Sequence, residues 1–262
     1  RRALRKQLSD VSTVDAFQAL VKPRLDRVVA ATSVFSSAGI EKLDPTQSYL
    51  FVSNHRDIAM DSAYANIVLV THGHRTAQVA IGDNLLQKPW VSDLMRINKS
   101  FIVKRSLSGP KQQLAASKQL AGFIRESISE NRGPIWIAQR EGRAKDGDDC
   151  TEAAVLKMVS LSRDKRIETA DQILGKLNIV PITIAYELDP CEDLKAKELY
   201  EIDRIGNYDK AVDEDVMSIG RGIAGQKGKV SISFGKPIAS ILSDPIEVSQ
   251  EIDRQIIEMY QL

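Results

Sequence analysis

Apolar positions along the chain fall into segments of two alternating kinds. Val14, Phe17, Leu20 and Val21 recur with a helical period, Pro23 interrupts them, and Leu25, Val28, Val29 and Val34 continue the stripe. This pattern predicts helix over residues 1–40, with Asp10 or Ser12 capping the first long helix. Ser48–Ser53 is a short continuous apolar run and reads as a buried strand that ends at Asn54-His55. A helix follows over Ala63–Val70, then strands at Gln78–Gly82 and around Phe101–Val103. Lys111–Ser129 is an amphipathic helix, with Leu114, Leu120, Phe123, Ile124 and Ile128 on its inner face. Pro134–Ala138 is a strand and Thr151–Ser162 a helix. Leu177–Ala185 is a strand apolar on both faces, Val230–Phe234 an alternating one, and Glu247–Gln261 a closing helix.

Short strands alternating with helices predict an α/β fold: a mixed, largely parallel central sheet flanked by helices, with an N-terminal helical segment. Residues 1–42 form that segment and residues 43–262 the α/β domain. Residues 187–228 are polar and irregularly charged and read as an insertion over one face.

Composition narrows the function. Lys and Arg number 36 against 35 Asp and Glu, for a formal net charge of +1. That excess is too small for binding nucleic acid by general basicity, and 5% aromatics is sparse for stacking on bases. Cys150 and Cys191 have no zinc-ligand spacing and read as free thiols, so no metal is expected. No run of 18 apolar residues predicts a spanning helix. The basic start (Arg1, Arg2, Arg5, Lys6) suits either an anionic membrane surface or a solvated helix face.

Candidate chemistry collects after three predicted strands, where α/β sheets place their sites. The first place is Asn54-His55-Arg56-Asp57-Ile58-Ala59-Met60-Asp61, which holds one of only three histidines. A neutral imidazole there can take a proton from a hydroxyl, and a carboxylate from Asp61 or Asp57 can orient it. The second delivers Lys104 and Arg105. The third, Gln139 to Gly147, carries Arg140, Arg143 and Lys145 with Glu141 and Gly142 on a turn. Guanidinium groups suit phosphate, and glycine lets backbone approach a ligand. Together the three strand ends favour acid–base chemistry on a phosphorylated or anionic substrate.

These residues, in this order, resemble the glycerolphosphate acyltransferase superfamily. Asn54-His55 through Asp61 resembles its His/Asp block, Phe101 through Arg105 its second block, Glu141-Gly142-Arg143 its third, and Ile179-Val180-Pro181-Ile182 its fourth. Phe234-Gly235-Lys236-Pro237-Ile238 resembles the strand and turn that often follow. The family's first block has four residues between His and Asp, and this chain has five. One extra residue rotates a helical position by about 100°. Asp61 therefore fits only if the turn absorbs the insertion, and Asp57 is the alternative.

The resemblance implies an O-acyltransferase that moves a fatty acyl group from a thioester to a hydroxyl of glycerol-3-phosphate or a lysophospholipid. The thioester, acyl-CoA or acyl-ACP, is a co-substrate, and no other cofactor is implied. His55 is the general base and Asp61 its orienter. Lys104, Arg105, Arg143 and Lys145, with Arg140 beside them, bind the acceptor phosphate. Glu141 and Gly142 shape the pocket, and Pro181 lines the acyl or acceptor channel. The implied partners are the thioester donor, with acyl carrier protein as one carrier, and a membrane surface, with peripheral attachment at the cytoplasmic face. Two other readings stand beside it: a serine hydrolase using Ser53 or Ser62, and a lipid-binding protein that keeps the fold without turnover.

Overall fold

A computed structural model describes residues 11–262 apart from 84–91, 94, 96, 97, 105, 106, 149, 164, 165, 167, 240, 241 and 243. Helix α1 (Val14–Thr32) is capped by Thr13, whose hydroxyl accepts from the Ala16 N–H at 3.1 Å, and not by Ser12; Asp10 and the basic start lie outside the described residues. Pro23 lies inside this helix and does not end it. The helix stops earlier than its apolar stripe suggests. Ser33–Ala38 is strand β1, which pairs parallel to β7 (Gly228–Phe234), and Val34 is 73% exposed on it. The helical expectation over residues 33–40 is therefore corrected. An isolated valine spaced as if on a helix face is equally at home on an edge strand.

The remaining strands are β2 (Leu50–Ser53), β3 (Gln78–Gly82), β4 (Ser100–Val103), β5 (Ile135–Ala138) and β6 (Ile179–Tyr186). They form one sheet in the order β1-β7-β6-β2-β5-β3-β4. All neighbours are parallel except β6 and β7. β2, β3, β4, β5 and β6 thus present their carboxyl ends on one side, with β2 between β6 and β5. Ser53 at the end of β2 stands level with Ala138 on β5 and Ile182 on β6.

Alternation along these strands splits the core into two layers. Phe51, Trp136, Val180 and Ile182 pack on one face with Tyr64, Val68 and Leu69 of α2 (Met60–Thr71) and with Val29 of α1. Leu50, Val52, Ile135, Ile137 and Ile179 pack on the other. There they meet α3 (Pro110–Ser129), α4 (Ala153–Val159), α5 (Ala170–Leu174) and α8 (Pro245–Met259). A strand covered on both faces must be apolar throughout, which is why β2 and β6 show no polar alternation.

The polar stretch 187–228 folds into α6 (Glu192–Ile205), α7 (Glu214–Ala224) and the start of β7. Lys195 of α6 is buried, and its ammonium donates to the Arg56 carbonyl at 2.7 Å and pairs with Asp189. The segment thus packs on the turn after β2.

Candidate active site

The turn after β2 is built around one carboxylate. Asp61 lies in the first turn of α2 and is fully buried. Its Oδ2 accepts from the His55 ring Nδ1 at 2.8 Å, the Arg56 N–H at 2.7 Å and the Asp57 N–H at 2.9 Å. Its Oδ1 accepts from the Tyr186 hydroxyl at 2.8 Å. Residues 56–59 curl around this carboxylate before the helix begins, so the extra residue in the His/Asp block is taken up by the turn. The positive end of α2 adds to the donors that hold the charge.

Asp57 serves a different purpose. Its Oδ1 accepts from the Ala59 and Met60 N–H groups at 2.9 and 2.8 Å, at the start of α2. Burial, then the charge on Asp61, pushes its carboxyl above the ordinary carboxylate value, against the pull of those N–H groups and of Arg143. Gly222 of α7 lies directly against it, where a Cβ would stand 2.0 Å from Asp57 Oδ2. Asp57, the alternative orienter, is thus held at the helix start and against α7, while the bond to His55 is made by Asp61.

With Nδ1 directed at the carboxylate, the imidazole keeps Nε2 for a substrate. The His55 side chain is 16% exposed, and its ring stands edge-on to Trp136 of β5 at 5.6 Å. Asn54 fixes the start of the turn. Its amide accepts from the Ile184 N–H at 2.8 Å and donates to the Ile184 carbonyl at 2.9 Å, tying the end of β2 to β6. The hydrolase residues are engaged elsewhere: Ser53 is buried and donates to the Asn54 carbonyl at 2.6 Å, and Ser62 donates to the Ala59 carbonyl at 3.3 Å.

The turn after β5 lies beside this one. The Ala144 N–H donates to the His55 carbonyl at 2.7 Å, and Arg56 donates to the Asp146 carbonyl at 2.6 Å. Gly142 sits at φ 77°, which glycine adopts without strain. Arg143 is half-buried and donates to the Ser218 hydroxyl on α7 at 3.3 Å, and Lys145 pairs with Glu198 of α6 at 2.6 Å. Arg140 makes a long contact to the Asp148 carbonyl at 3.5 Å, and Glu141 is exposed. Gln139 Nε2, Arg140 Nε and Arg143 Nη1 are buried donors with no hydrogen-bond partner among the described residues.

The other sequence-predicted residues are more dispersed. Lys104 is exposed after β4, three strand positions from β2, or about 14 Å at the usual spacing. Arg105 lies outside the described residues. Pro181 is buried in β6 opposite Val52, and its carbonyl accepts from the Gly235 N–H at 2.8 Å. Sequence reasoning missed Asn54 as a strand tie, Lys195 and Tyr186. The one local signal for Tyr186 was a phenol closing an otherwise apolar strand, since a buried tyrosine hydroxyl usually finds a partner.

Among the described residues, no group of three or more His, Cys, Asp or Glu is placed to hold a metal ion. Nor is any described helix long and apolar enough to cross a membrane.

Comparisons with known proteins bear on the family and on similar solved structures. The family model described as Acyltransferase matches residues 35–184, more than half of the chain and all four sequence blocks. A search of curated proteins found no match. Among solved structures, the chain is similar to the 1-acyl-sn-glycerophosphate (LPA) acyltransferase PlsC from Thermotoga maritima. The two are 14% identical, with a TM-score of 0.48, over 97% of this chain and 84% of that one. On the family match, the resemblance drawn from the sequence holds, and the chain belongs to the Acyltransferase family.

Proposed function

We propose that the chain transfers a fatty acyl group from a thioester to a hydroxyl of glycerol-3-phosphate or a lysophospholipid, with His55 as general base and Asp61 as its orienter. One observation carries this reading: the 2.8 Å bond from His55 Nδ1 to a fully buried Asp61, which leaves Nε2 for the acceptor. Nε2 takes the hydroxyl proton as the oxygen attacks the thioester carbonyl. The resulting imidazolium is stabilised by Asp61. The C–S bond breaks, and the departing thiolate takes the proton from Nε2. The proton balance closes on one imidazole, so no acyl-enzyme is needed.

The partnerless donors on Gln139, Arg140 and Arg143 support an anionic acceptor held by the turn after β5. A buried N–H without an acceptor costs about 1–3 kcal/mol, and a phosphate oxygen would remove that cost. Arg143 also faces α7, so in this reading it joins the acceptor site to that helix. Lys104, after the strand at the far edge of the sheet, suits a more distant anionic group: the donor's phosphates, the surface of an acyl carrier protein, or lipid headgroups. The donor, acyl-CoA or acyl-ACP, brings the leaving thiol, and no further cofactor enters. Acceptor and product are amphiphiles, so the reading includes peripheral attachment at the cytoplasmic membrane face. Salt-sensitive co-sedimentation with anionic vesicles would show that attachment, and no sedimentation at low salt would remove it.

The test of the chemistry is thiol release from a long-chain acyl-CoA, with and without glycerol-3-phosphate or lysophosphatidate. Acceptor-dependent release that disappears in His55→Ala is the expected result. Release that ignores the acceptor would replace the transferase by a hydrolase.

A further inference from the structure

One buried hydroxyl touches the His/Asp pair without being required by the transfer chemistry. Tyr186 closes β6 and lies 125 residues beyond Asp61, yet its hydroxyl donates to Asp61 Oδ1 at 2.8 Å. All three other donors, from His55, Arg56 and Asp57, converge on Oδ2. Tyr186 thus holds the other oxygen of the carboxylate.

Its own position is well fixed. The Asn54 amide bonds both backbone groups of Ile184, two residues before Tyr186, and so locks this end of β6 to the turn that carries His55. The Tyr186 ring packs edge-on against Tyr64 of α2 at 6.0 Å. Burial, with Asp61 and Asp57 nearby, holds the phenol protonated far above its ordinary range, so it stays a donor.

We propose that Tyr186 is a positioning residue for the transfer reaction, pinning Asp61 by Oδ1 so that Oδ2 stays aligned on His55 and carries less of the carboxylate charge. The inference rests on the His55–Asp61 reading above. Rotation about Cβ–Cγ moves both carboxylate oxygens, so the Tyr186 bond on Oδ1 adds a restraint on the side opposite the three donors that already hold Oδ2. The second donor also draws charge from the oxygen facing the ring, and so limits how strongly the imidazolium is held. The other ionisable groups around this cluster are Asp57 on the same turn, Tyr64 on α2, Arg143 after β5, Cys191 before α6, Lys195 on α6, and Lys227 at the entry to β7. All of these residues are retained when one hydroxyl is removed from Tyr186, and the opposite shift expected from a stronger donor at the same position separates that hydroxyl from them.

The experiment compares wild type, Tyr186→Phe, Tyr64→Phe and His55→Ala in acceptor-dependent thiol release across pH. In Tyr186→Phe, kcat falls about tenfold at an unchanged acceptor KM, as for one lost hydrogen bond. The carboxylate then holds the imidazolium more tightly, so the acid limb of the profile moves up by about half a pH unit. Tyr64→Phe, whose hydroxyl bonds Ser33, leaves that limb in place. Replacing Tyr186 by 3-fluorotyrosine strengthens the donor and keeps the ring, so the limb moves to lower pH; this variant decides the matter if Tyr186→Phe does not fold. An active His55→Ala would sink the proposed reaction itself. With His55→Ala inactive, an unmoved acid limb in both Tyr186 variants would overturn the positioning role.

Discussion

The turns after β2 and β5 lie side by side at the same end of the sheet, yet they treat polar groups in opposite ways. After β2, Asp61 is buried and both of its oxygens are engaged by four donors. After β5, Gln139, Arg140 and Arg143 keep buried N–H groups with no acceptor. A carboxylate that must steady a transient imidazolium works best when its own geometry is already fixed. A surface that must bind an anion works best when its donors await one. In the proposed reading, one turn moves a proton and the other holds the acceptor.

Mutations can break each side of that contrast separately. The largest effect is expected from His55→Ala, a loss of about 10³-fold or more in kcat, the loss of the proposed general base. Asp61→Asn should cost about 10²-fold in kcat and also destabilise the fold, because an amide NH2 would face backbone donors. Arg140→Ala should instead raise the acceptor KM by about tenfold with kcat nearly retained, the pattern of a lost binding contact. If kcat fell with KM unchanged, the turn after β5 would belong to the proton chemistry. Gly222→Ala puts a methyl against the Asp57 carboxylate and should cost about 1–3 kcal/mol in chemical denaturation.

The subtlest effect concerns pH. Burial raises the Asp57 carboxyl above its ordinary value, so between the unfolded and folded values the native state holds the extra proton. Stability from this group is therefore present below that window and declines as pH rises through it. Asp57→Asn, which keeps an acceptor for Ala59 and Met60, should flatten that decline in urea unfolding measured across mildly acidic pH. An unchanged slope would place the proton elsewhere.

The sheet was largely legible. Gln78–Gly82 matches its predicted bounds, and the other interior strands lie within two residues of theirs, because burial on both faces leaves a continuous apolar run. β1 was not legible, since an exposed edge strand with Val34 outward carries no such run. The insertion was visible, but its two helices were not. Their apolar residues are interleaved with charge and several stay exposed, among them Leu199, Ile202 and Ile205, and α6 turns Lys195 and Glu198 toward the site. Among the basic residues, the sequence grouped Lys104 with Arg143, although β3 separates β4 from β5.

The sequence by itself determined the α/β class, the order of the four blocks and the location of His55 and Asp61 just after a central strand. These follow from periodicity and residue chemistry, which are local. Only the tertiary structure decided that Asp61 rather than Asp57 faces the ring, that Asn54 ties β2 to β6, and that Tyr186 reaches Asp61. The last two contacts join residues 130 and 125 positions apart. Sheet register sets such pairings, and no spacing along the chain encodes them.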